Sequence, residues 1–165
     1  MKALFETAAR IGPVLLARGD TVAVAESASG GLISAALLSV PGASGYFRGG
    51  DVIYTAAARS AFGITSEDMH GMRSASEPYA RLMAQTARLR LHATWGLAET
   101  GAAGPTGNRY GDRAGHVCVA VAGPVLQSRV IETGAEDRVA NMLAFAHAAL
   151  ALLAEAVGVA LAPHA

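Results

Sequence analysis

The fold is decided by the stretch TVAVAESASGGL, residues 21–32. Its first five residues are small and apolar, which predicts a short buried strand. Gly30 and Gly31 then open a helical pattern of apolar residues. A strand therefore runs into a helix through a turn of small hydroxyl residues, a junction typical of α/β folds.

The turn of this stretch has two interpretations. The first turn of a helix carries unpaired N–H groups and a partial positive charge. Ser27, Ser29, Gly30 and Gly31 would then leave space for a phosphate or a developing oxyanion. Alternatively, Ser27 or Ser29 caps the helix and the glycines only permit the turn. No Gly-Lys-Ser/Thr follows and the G-x-G-x-x-G spacing is absent, which argues against both common phosphate-loop motifs.

Length and composition predict one domain over residues 1–165. Lys plus Arg equal Asp plus Glu at 13 each, so no basic surface indicates nucleic acid, and a small neutral or zwitterionic ligand is favoured. The single Cys118 excludes an internal disulfide, which fits a reducing compartment. Charged residues interrupt the N-terminal apolar residues, unlike a signal peptide, so we expect a cytoplasmic protein.

Residues 141–162 are apolar enough to raise the question of a membrane span. His147 and Glu155 are the ionisable interruptions, and most of the apolar residues are alanine. We favour a buried terminal helix, shared with a partner chain, over a membrane span.

The remaining patterns give an alternating series of elements. We expect helices at 3–17, from 30, at 56–62, 76–91 and 136–157, and strands at 21–25, 49–55, 94–99, 115–122 and 125–132. The last two strands flank Gly123 and Pro124 and predict an antiparallel hairpin. This order predicts a mixed sheet with helices on both faces. Ligands of such sheets bind at the carboxyl ends of parallel strands, here residues 26–31, 54–59 and 100–108.

Few residue patterns predict chemistry without further information. The loop at 101–111 holds four glycines and Pro105, and either its backbone approaches a ligand or it is a flexible connection. No serine lies in G-x-S-x-G, and no histidine has an evident orienting carboxylate. We expect His116 and His147 to be structural. No clustered Cys/His spacing supports a metal site.

Five segments together resemble a known family. They are AESASGG at 25–31, PGASGYFRGGDVIYTAAAR at 41–59, SEP at 76–78, TGAAGPTG at 100–107 and EDR at 136–138. In this order they resemble the C-terminal domain of the CinA family, which includes bacterial nicotinamide mononucleotide deamidases. The resemblance implies a three-layer α/β/α sandwich with a mixed, mostly parallel sheet. It also implies hydrolysis of the carboxamide of nicotinamide mononucleotide without a cofactor or a metal, and a homodimer or larger homo-oligomer.

The family motif places three catalytic candidates. Ser27 takes the position of the nucleophilic serine, Tyr54 that of the tyrosine beside it, and Arg59 that of the family lysine. A desolvated lysine can be neutral near neutral pH and accept the serine proton. Arginine stays protonated and cannot serve as that base. Ala28, Ala56 and Gly49 are further departures, standing where the family has Cys, Asn and Arg.

The resemblance also implies a nucleotide-binding set, and it leaves three hypotheses. The expected substrate-binding residues are Glu26, Ser29, Gly30, Gly31, Thr100, Gly101, Gly104 and Gly107. The first hypothesis is an amidohydrolase in which Ser27 attacks the carboxamide and Tyr54 relays or orients the proton. The second is a binding module with a nucleotide pocket, slow or no hydrolysis and Arg59 as a phosphate clamp. The third, a structural dimer without a ligand, ranks last.

Overall fold

The computed structural model describes residues 1–161, which form helices and strands in the predicted order. The helices are α1 Lys2–Arg18, α2 Leu32–Leu38, α3 Ala56–Ala61, α4 Glu77–Arg90 and α5 Arg138–Ala156. The strands are β1 Val22–Glu26, β2 Phe47–Val52, β3 Trp95–Ala102, β4 His116–Ala122 and β5 Leu126–Glu132. A short 3-10 helix at Ala43–Gly45 lies between α2 and β2.

The five strands form one sheet in the order β2-β1-β3-β4-β5. β1 pairs in parallel with β2 and with β3, whereas β3–β4 and β4–β5 are antiparallel. The predicted α/β class and the hairpin around Gly123 are confirmed. The sheet divides evenly between parallel and antiparallel pairings instead of being mostly parallel, because β3 is followed directly by a strand and not by a crossover helix.

Helices cover both faces of the sheet, which gives the expected three layers. On one face, α1, α2 and α5 pack their apolar side chains against the sheet, and Leu15, Ile33 and Phe145 are fully buried there. On the other face, α4 buries Met83 and Ala84 in a second core, against which α3 also packs.

Two boundaries differ from those expected from the sequence. β3 continues through Thr100 and Gly101 to Ala102, where a loop was expected, because all three residues pair with β4. Thr-Gly-Ala has low strand propensity, so tertiary pairing decides its conformation. β2 begins at Phe47 and ends at Val52, earlier than expected, which leaves Tyr54 in the connection before α3.

Within residues 1–161, α5 is long and apolar enough to cross a membrane by length and composition, with 44% of its most apolar 18-residue window buried. It lies against β4, β3, α1 and α2. Phe145, Leu150 and Leu153 are fully buried in this packing, which is the arrangement of a core helix. The expected helix ran over residues 136–157, whereas α5 ends at Ala156; residues 162–165 lie outside the described part of the chain.

Candidate active site

A cavity of about 420 Å³ opens at the carboxyl ends of the three parallel strands. Its lining includes Ser27 from the turn after β1, Tyr54 from the connection after β2, Arg59 of α3, and Thr100 and Gly101 near the end of β3. These five residues were expected at the site from the sequence, and the sheet brings them together. This location follows the rule for ligand sites in open α/β sheets.

The same cavity is lined by residues that the sequence analysis did not name individually, although three of them lie in the loop at 101–111. They are contributed by the segment before α4, by α4 itself and by the loop after β3: Ser74, Tyr79, Asn108, Arg109 and Tyr110. Arg-Tyr within a glycine-rich loop at a strand end is a signal that could have indicated two of them.

The charged side chains that line the cavity within residues 1–161 are basic. Arg59 and Arg109 line it, and no carboxylate belongs to its lining within residues 1–161. The Nε atom of Arg59 is buried and has no hydrogen-bond partner in the described chain. A buried N–H donor without a partner is costly unless a bound group accepts from it. The cavity therefore suits an anionic ligand, and Tyr54, Tyr79 and Tyr110 offer aromatic surface beside the cations.

Arg138 fixes the side of the cavity that carries Tyr54. Its Nη2 donates to the Tyr54 hydroxyl at 2.9 Å, and its Nη1 donates to the carbonyl of Gly104 at 2.7 Å. Arg138 begins α5, and Asp137 caps that helix by accepting the N–H of Ala140 at 2.7 Å. The first residue of α5 thus joins the loop after β3 to the connection after β2. Arg138 lies in the EDR segment, to which no role was assigned from the sequence.

The turn after β1 is built around Glu26, which is fully buried. Its Oε2 accepts the N–H groups of Gly31 at 2.9 Å and Ile33 at 3.1 Å, and its Oε1 accepts that of Ser34 at 3.0 Å. A carboxylate of the chain thus caps α2 at the N–H groups that the first of the two interpretations offered to an anion. The N–H of Gly30 donates to the carbonyl of Ser27 at 3.2 Å.

Four residues of this turn were expected to bind the substrate. Glu26, Ser29, Gly30 and Gly31 lie outside the lining of the cavity within the described chain. Gly31 is the N-cap of α2 with a φ of 100°, a conformation that favours glycine, so its role is conformational. Ser29 is buried and its hydroxyl contacts two carboxyl groups of the protein. The N–H groups at the start of α2 are thus bound by a side chain of the protein, as in the capping interpretation, but that side chain is Glu26 and not a serine.

The glycines after β3 are explained by packing within the protein. A Cβ atom at Gly101 would lie 2.5 Å from the carbonyl oxygen of His116, and one at Gly107 would lie 2.2 Å from that of Asp112. Gly104 has a φ of 103° and a Cβ there would meet the carbonyl of Glu136 at 2.7 Å. These close approaches account for the glycines without a ligand. Gly107 lines a second, more open cavity of about 910 Å³, away from Ser27.

The loop after β3 is held by a polar network. Arg73 binds both carboxylate oxygens of Asp112, and Asn108 donates to Asp112 at 2.8 Å. The side-chain hydrogen bond from Arg73 keeps the pKa of Asp112 below its ordinary value. Arg109 donates to the Tyr110 hydroxyl at 2.9 Å, and this bond lowers the pKa of Tyr110. These hydrogen bonds hold the loop in place as one wall of the cavity.

His116 is structural, as expected, but it has the carboxylate partner that the sequence did not reveal. Its Nδ1 is hydrogen-bonded to Glu132 and its Nε2 lies 3.0 Å from the carbonyl of Ala75. Burial alone would lower the pKa of His116, but the bonds to Glu132 and Ala75 outweigh it and the pKa is raised. Because Ala75 lines the cavity, His116 supports the cavity wall.

One further residue missed from the sequence is Glu99. Its Oε2 accepts the backbone N–H of Ser27 at 3.1 Å, although 72 positions separate the two residues. Glu99 is fully buried in β3. An isolated carboxylate inside a strand of otherwise small and apolar residues is the signal that could have indicated it, because such a group is not buried without partners.

Comparison with known proteins places these features in a family. The family model described as the CinA C-terminal domain matches residues 5–157. A CinA-like protein of Prochlorococcus marinus is 46% identical over 112 residues, which are 67% of this chain and 26% of that protein. A CinA-like protein of Gloeobacter violaceus is 43% identical over 129 residues, 77% of this chain and 30% of its own length. The chain thus spans about a quarter to a third of these relatives.

Solved structures give the same result for the fold. The competence/damage inducible protein CihA of Agrobacterium tumefaciens aligns with a TM-score of 0.85 and 32% identity, over 94% of this chain and 95% of that one. A CinA superfamily protein of Klebsiella pneumoniae aligns with a TM-score of 0.87 and 25% identity, over 94% of this chain and 98% of the other.

Proposed function

The chain belongs to the CinA C-terminal domain family, and from this premise we propose that it is an amidohydrolase acting on nicotinamide mononucleotide. The reaction converts the carboxamide to a carboxylate: water is consumed, the C–N bond breaks, and ammonia leaves. Nicotinate mononucleotide is the other product. Neither a cofactor nor a metal takes part in the proposed steps.

In the proposed mechanism, the Ser27 hydroxyl oxygen bonds to the carboxamide carbon and ammonia departs from the resulting tetrahedral intermediate. Water then cleaves the acyl-serine ester and restores the hydroxyl. Tyr54 relays or orients the proton, and Arg138 holds the Tyr54 hydroxyl by a 2.9 Å hydrogen bond. Arg59 and Arg109 balance the negative charge of the phosphate group.

The observation that carries this proposal is the composition of one cavity. Ser27, which follows β1, and Tyr54 and Arg59, which follow β2, line it together, and within residues 1–161 no lining carboxylate matches its cations. A pyridine nucleotide presents an aromatic ring and a phosphate, which match the tyrosines and arginines of the lining.

A second candidate function is supported by Arg59 itself. Arginine stays protonated, so it cannot accept the serine proton as a lysine can. Within residues 1–161, the hydrogen bond from Ser27 to a carboxyl group is made by its backbone N–H, which donates to Glu99 Oε2 at 3.1 Å, and not by its hydroxyl. Under this alternative the chain binds the nucleotide, with Arg59 as a phosphate clamp, and hydrolyses it slowly or not at all.

The deciding experiment measures ammonia release from nicotinamide mononucleotide by the purified chain, beside Ser27→Ala. We expect turnover that Ser27→Ala lowers by at least about a thousandfold, as for loss of a catalytic nucleophile. Saturable nucleotide binding without turnover by the native chain would instead support the binding module. Neither binding nor turnover would contradict both functions.

Arg59→Lys is the matched variant for the role of the base. A gain of about tenfold or more in kcat would indicate that the native chain is catalytically impaired by its arginine. If the native chain turns over and Arg59→Lys changes kcat little, the base lies elsewhere and Arg59 serves in binding. Arg81→Lys is the control, because Arg81 donates to Ser128 and lies outside the cavity lining.

We also propose the cellular location, partners and oligomeric state of the protein, on the basis of its family and composition. We expect it to act in the cytoplasm, without nucleic acid or a membrane as partner, and to form a homodimer or a larger homo-oligomer. The balanced charge of 13 basic and 13 acidic residues supports the absence of a nucleic-acid surface.

A further inference from the structure

Two glutamate side chains meet beneath the turn that carries Ser27. Glu26 ends β1, Glu99 lies in the adjacent strand β3, and both are fully buried. Neither lines the cavity. Burial of two neighbouring carboxyl groups is costly unless each is bound by donors or retains a proton. Their hydrogen bonds therefore show how the pair is arranged.

Glu26 is surrounded by donors. In addition to the three backbone N–H groups at the start of α2, it accepts the Ser34 hydroxyl at 2.7 Å. An arrangement with donors on both oxygens suits a negatively charged carboxylate, and the N-terminus of α2 adds a favourable dipole.

Glu99 has fewer donors, and all of them belong to the turn. Its Oε2 accepts the backbone N–H of Ser27 at 3.1 Å and that of Ser29 at 2.8 Å. Its Oε1 is buried and has no hydrogen-bond partner in the described chain. Glu99 thus holds the backbone on both sides of Ala28 through one oxygen atom.

The Ser29 hydroxyl joins the two carboxyl groups. Its oxygen lies 2.8 Å from Glu26 Oε2 and 2.8 Å from Glu99 Oε2. A serine has one hydroxyl proton and can donate to only one of them. The other contact needs a proton from a carboxyl group, and Glu99 is the group with the fewer donors. The pKa of Glu99 is raised to about 7: burial is the largest cause, the charge of Glu26 adds to it, and the bonds from Ser29 and Ser27 oppose the shift.

We propose that Glu99 is a positioning residue for Ser27, holding the turn through two backbone N–H groups and sharing one proton with Glu26 across the Ser29 hydroxyl. The inference rests on the proposed function, in which Ser27 is the nucleophile. Within the described residues, Glu26 is the titratable group whose charge acts on Glu99. Loss of the shared proton places a second buried negative charge beside Glu26 and displaces the turn that presents Ser27.

The first arm of the test follows the turn directly. The backbone amide signals of Ser27 and Ser29 are recorded by NMR across pH in the native chain and in Glu99→Gln. We expect both signals to titrate with a midpoint near about 7 in the native chain. Glu99→Gln keeps an acceptor oxygen but has no proton to lose, so its signals stay constant over this range. Absence of titration in the native chain, or the same titration in Glu99→Gln, would overturn the inference.

The second arm measures kcat and nucleotide Kd separately. Glu99→Ala is expected to lower kcat by about a hundredfold with Kd within about threefold, because Ser27 is displaced while the arginines of the cavity stay in place. Glu99→Gln restores kcat to within about threefold of the native value, and its ratio to native kcat rises as pH increases past about 7. Equal losses in Glu99→Ala and Glu99→Gln, or a loss confined to Kd, would contradict a positioning role.

Two features keep this test decisive. Should Glu99→Ala not fold, Ser29→Ala replaces it: loss of the bridge shifts the amide midpoint of Ser27, and an unchanged midpoint would contradict the shared proton. Should the native chain release no ammonia, the proposed hydrolase fails while the amide titration still decides the role of Glu99. Turnover without amide titration would support the proposed hydrolase and contradict the proposed role of Glu99.

Discussion

At the residue scale, the site consists of side chains that line the cavity and side chains that hold the lining in place. The sequence predicted that Ser27, Tyr54 and Arg59 lie close together, because they follow parallel strands whose ends converge at one edge of a sheet, and the three residues line one cavity. Glu99 and Arg138 were not found, because their contacts join residues 72 and 84 positions apart. Sequence spacing gives no information on a pairing of that kind. The sequence alone does not decide the role of the glycines, because a missing Cβ is equally suited to a ligand and to a neighbouring backbone.

Tyr54→Phe tests the proton role of a single hydroxyl. The side chain is 60% exposed, so its loss should change the free energy of unfolding by less than about 0.5 kcal/mol. If Tyr54 relays the proton, kcat falls by about a hundredfold, within the range for general acid–base groups. Measurement of kcat together with urea unfolding separates these effects.

Tyr110→Phe is the matched control for Tyr54→Phe. Tyr110 lines the same cavity but has no proton role in the mechanism, so kcat should stay within about threefold of the native value. Equal losses of kcat in Tyr54→Phe and Tyr110→Phe would contradict a proton-transfer role for Tyr54.

At the element scale, the sequence predicted the order of helices and strands because hydrophobic periodicity is local and most elements are strongly patterned. The ends of elements were less well predicted. The last three residues of β3 are extended because β4 pairs with them, and the start of α2 is capped by Glu26 from the preceding strand. Both depend on neighbours in space, whereas the Ser76 and Thr55 caps of α4 and α3 depend on neighbours in sequence.

The start of α5 is the element boundary with the clearest connection to the site. Asp137 caps α5 and the next residue, Arg138, reaches Tyr54 and Gly104. Asp137→Ala should lower the free energy of unfolding by about 1 kcal/mol, the usual cost of losing an N-cap. Fraying at the start of α5 should also weaken the hydrogen bond that Arg138 donates to the Tyr54 hydroxyl. Urea unfolding measures the first effect, and Asp137→Asn, which keeps a capping oxygen, is the control expected to stay within about 0.5 kcal/mol of native. A larger loss in Asp137→Asn than in Asp137→Ala would contradict the capping role.

At the scale of the whole molecule, the described ionisable groups with shifted pKa values divide into two sets. Asp112 and Asp68 have lowered pKa values, through the bond from Arg73 and the backbone bond of Thr65 respectively, so their stabilising contributions are present above their ordinary pKa and lost as the pH falls. Glu99 has a pKa raised from 4.5 to about 7 by burial, so its contribution is complete below 4.5 and lost as the pH rises to about 7. His116 also has a raised pKa. The molecule should therefore be most stable at mildly acidic pH.

His116→Gln tests this pH dependence through the histidine that joins β4 to the cavity wall. In the folded chain the protonated imidazole is bound by Glu132 and by the Ala75 carbonyl, so the folded state holds the proton more tightly than the unfolded state. This contribution is complete below the unfolded pKa of about 6.5 and is lost as the pH rises through the higher folded pKa, at about 1.4 kcal/mol for each pKa unit between the two.

His116→Gln should thus have a lower free energy of unfolding than the native chain at about pH 5.5, and this difference in free energy should be smaller at about pH 9. Urea unfolding at both pH values measures the two differences. His92→Asn, at an exposed position with a φ of 49°, is the control for replacing a histidine elsewhere in the chain. If the difference in free energy of unfolding between His116→Gln and the native chain is the same at both pH values, the histidine stabilises the fold by packing and not through its bound proton.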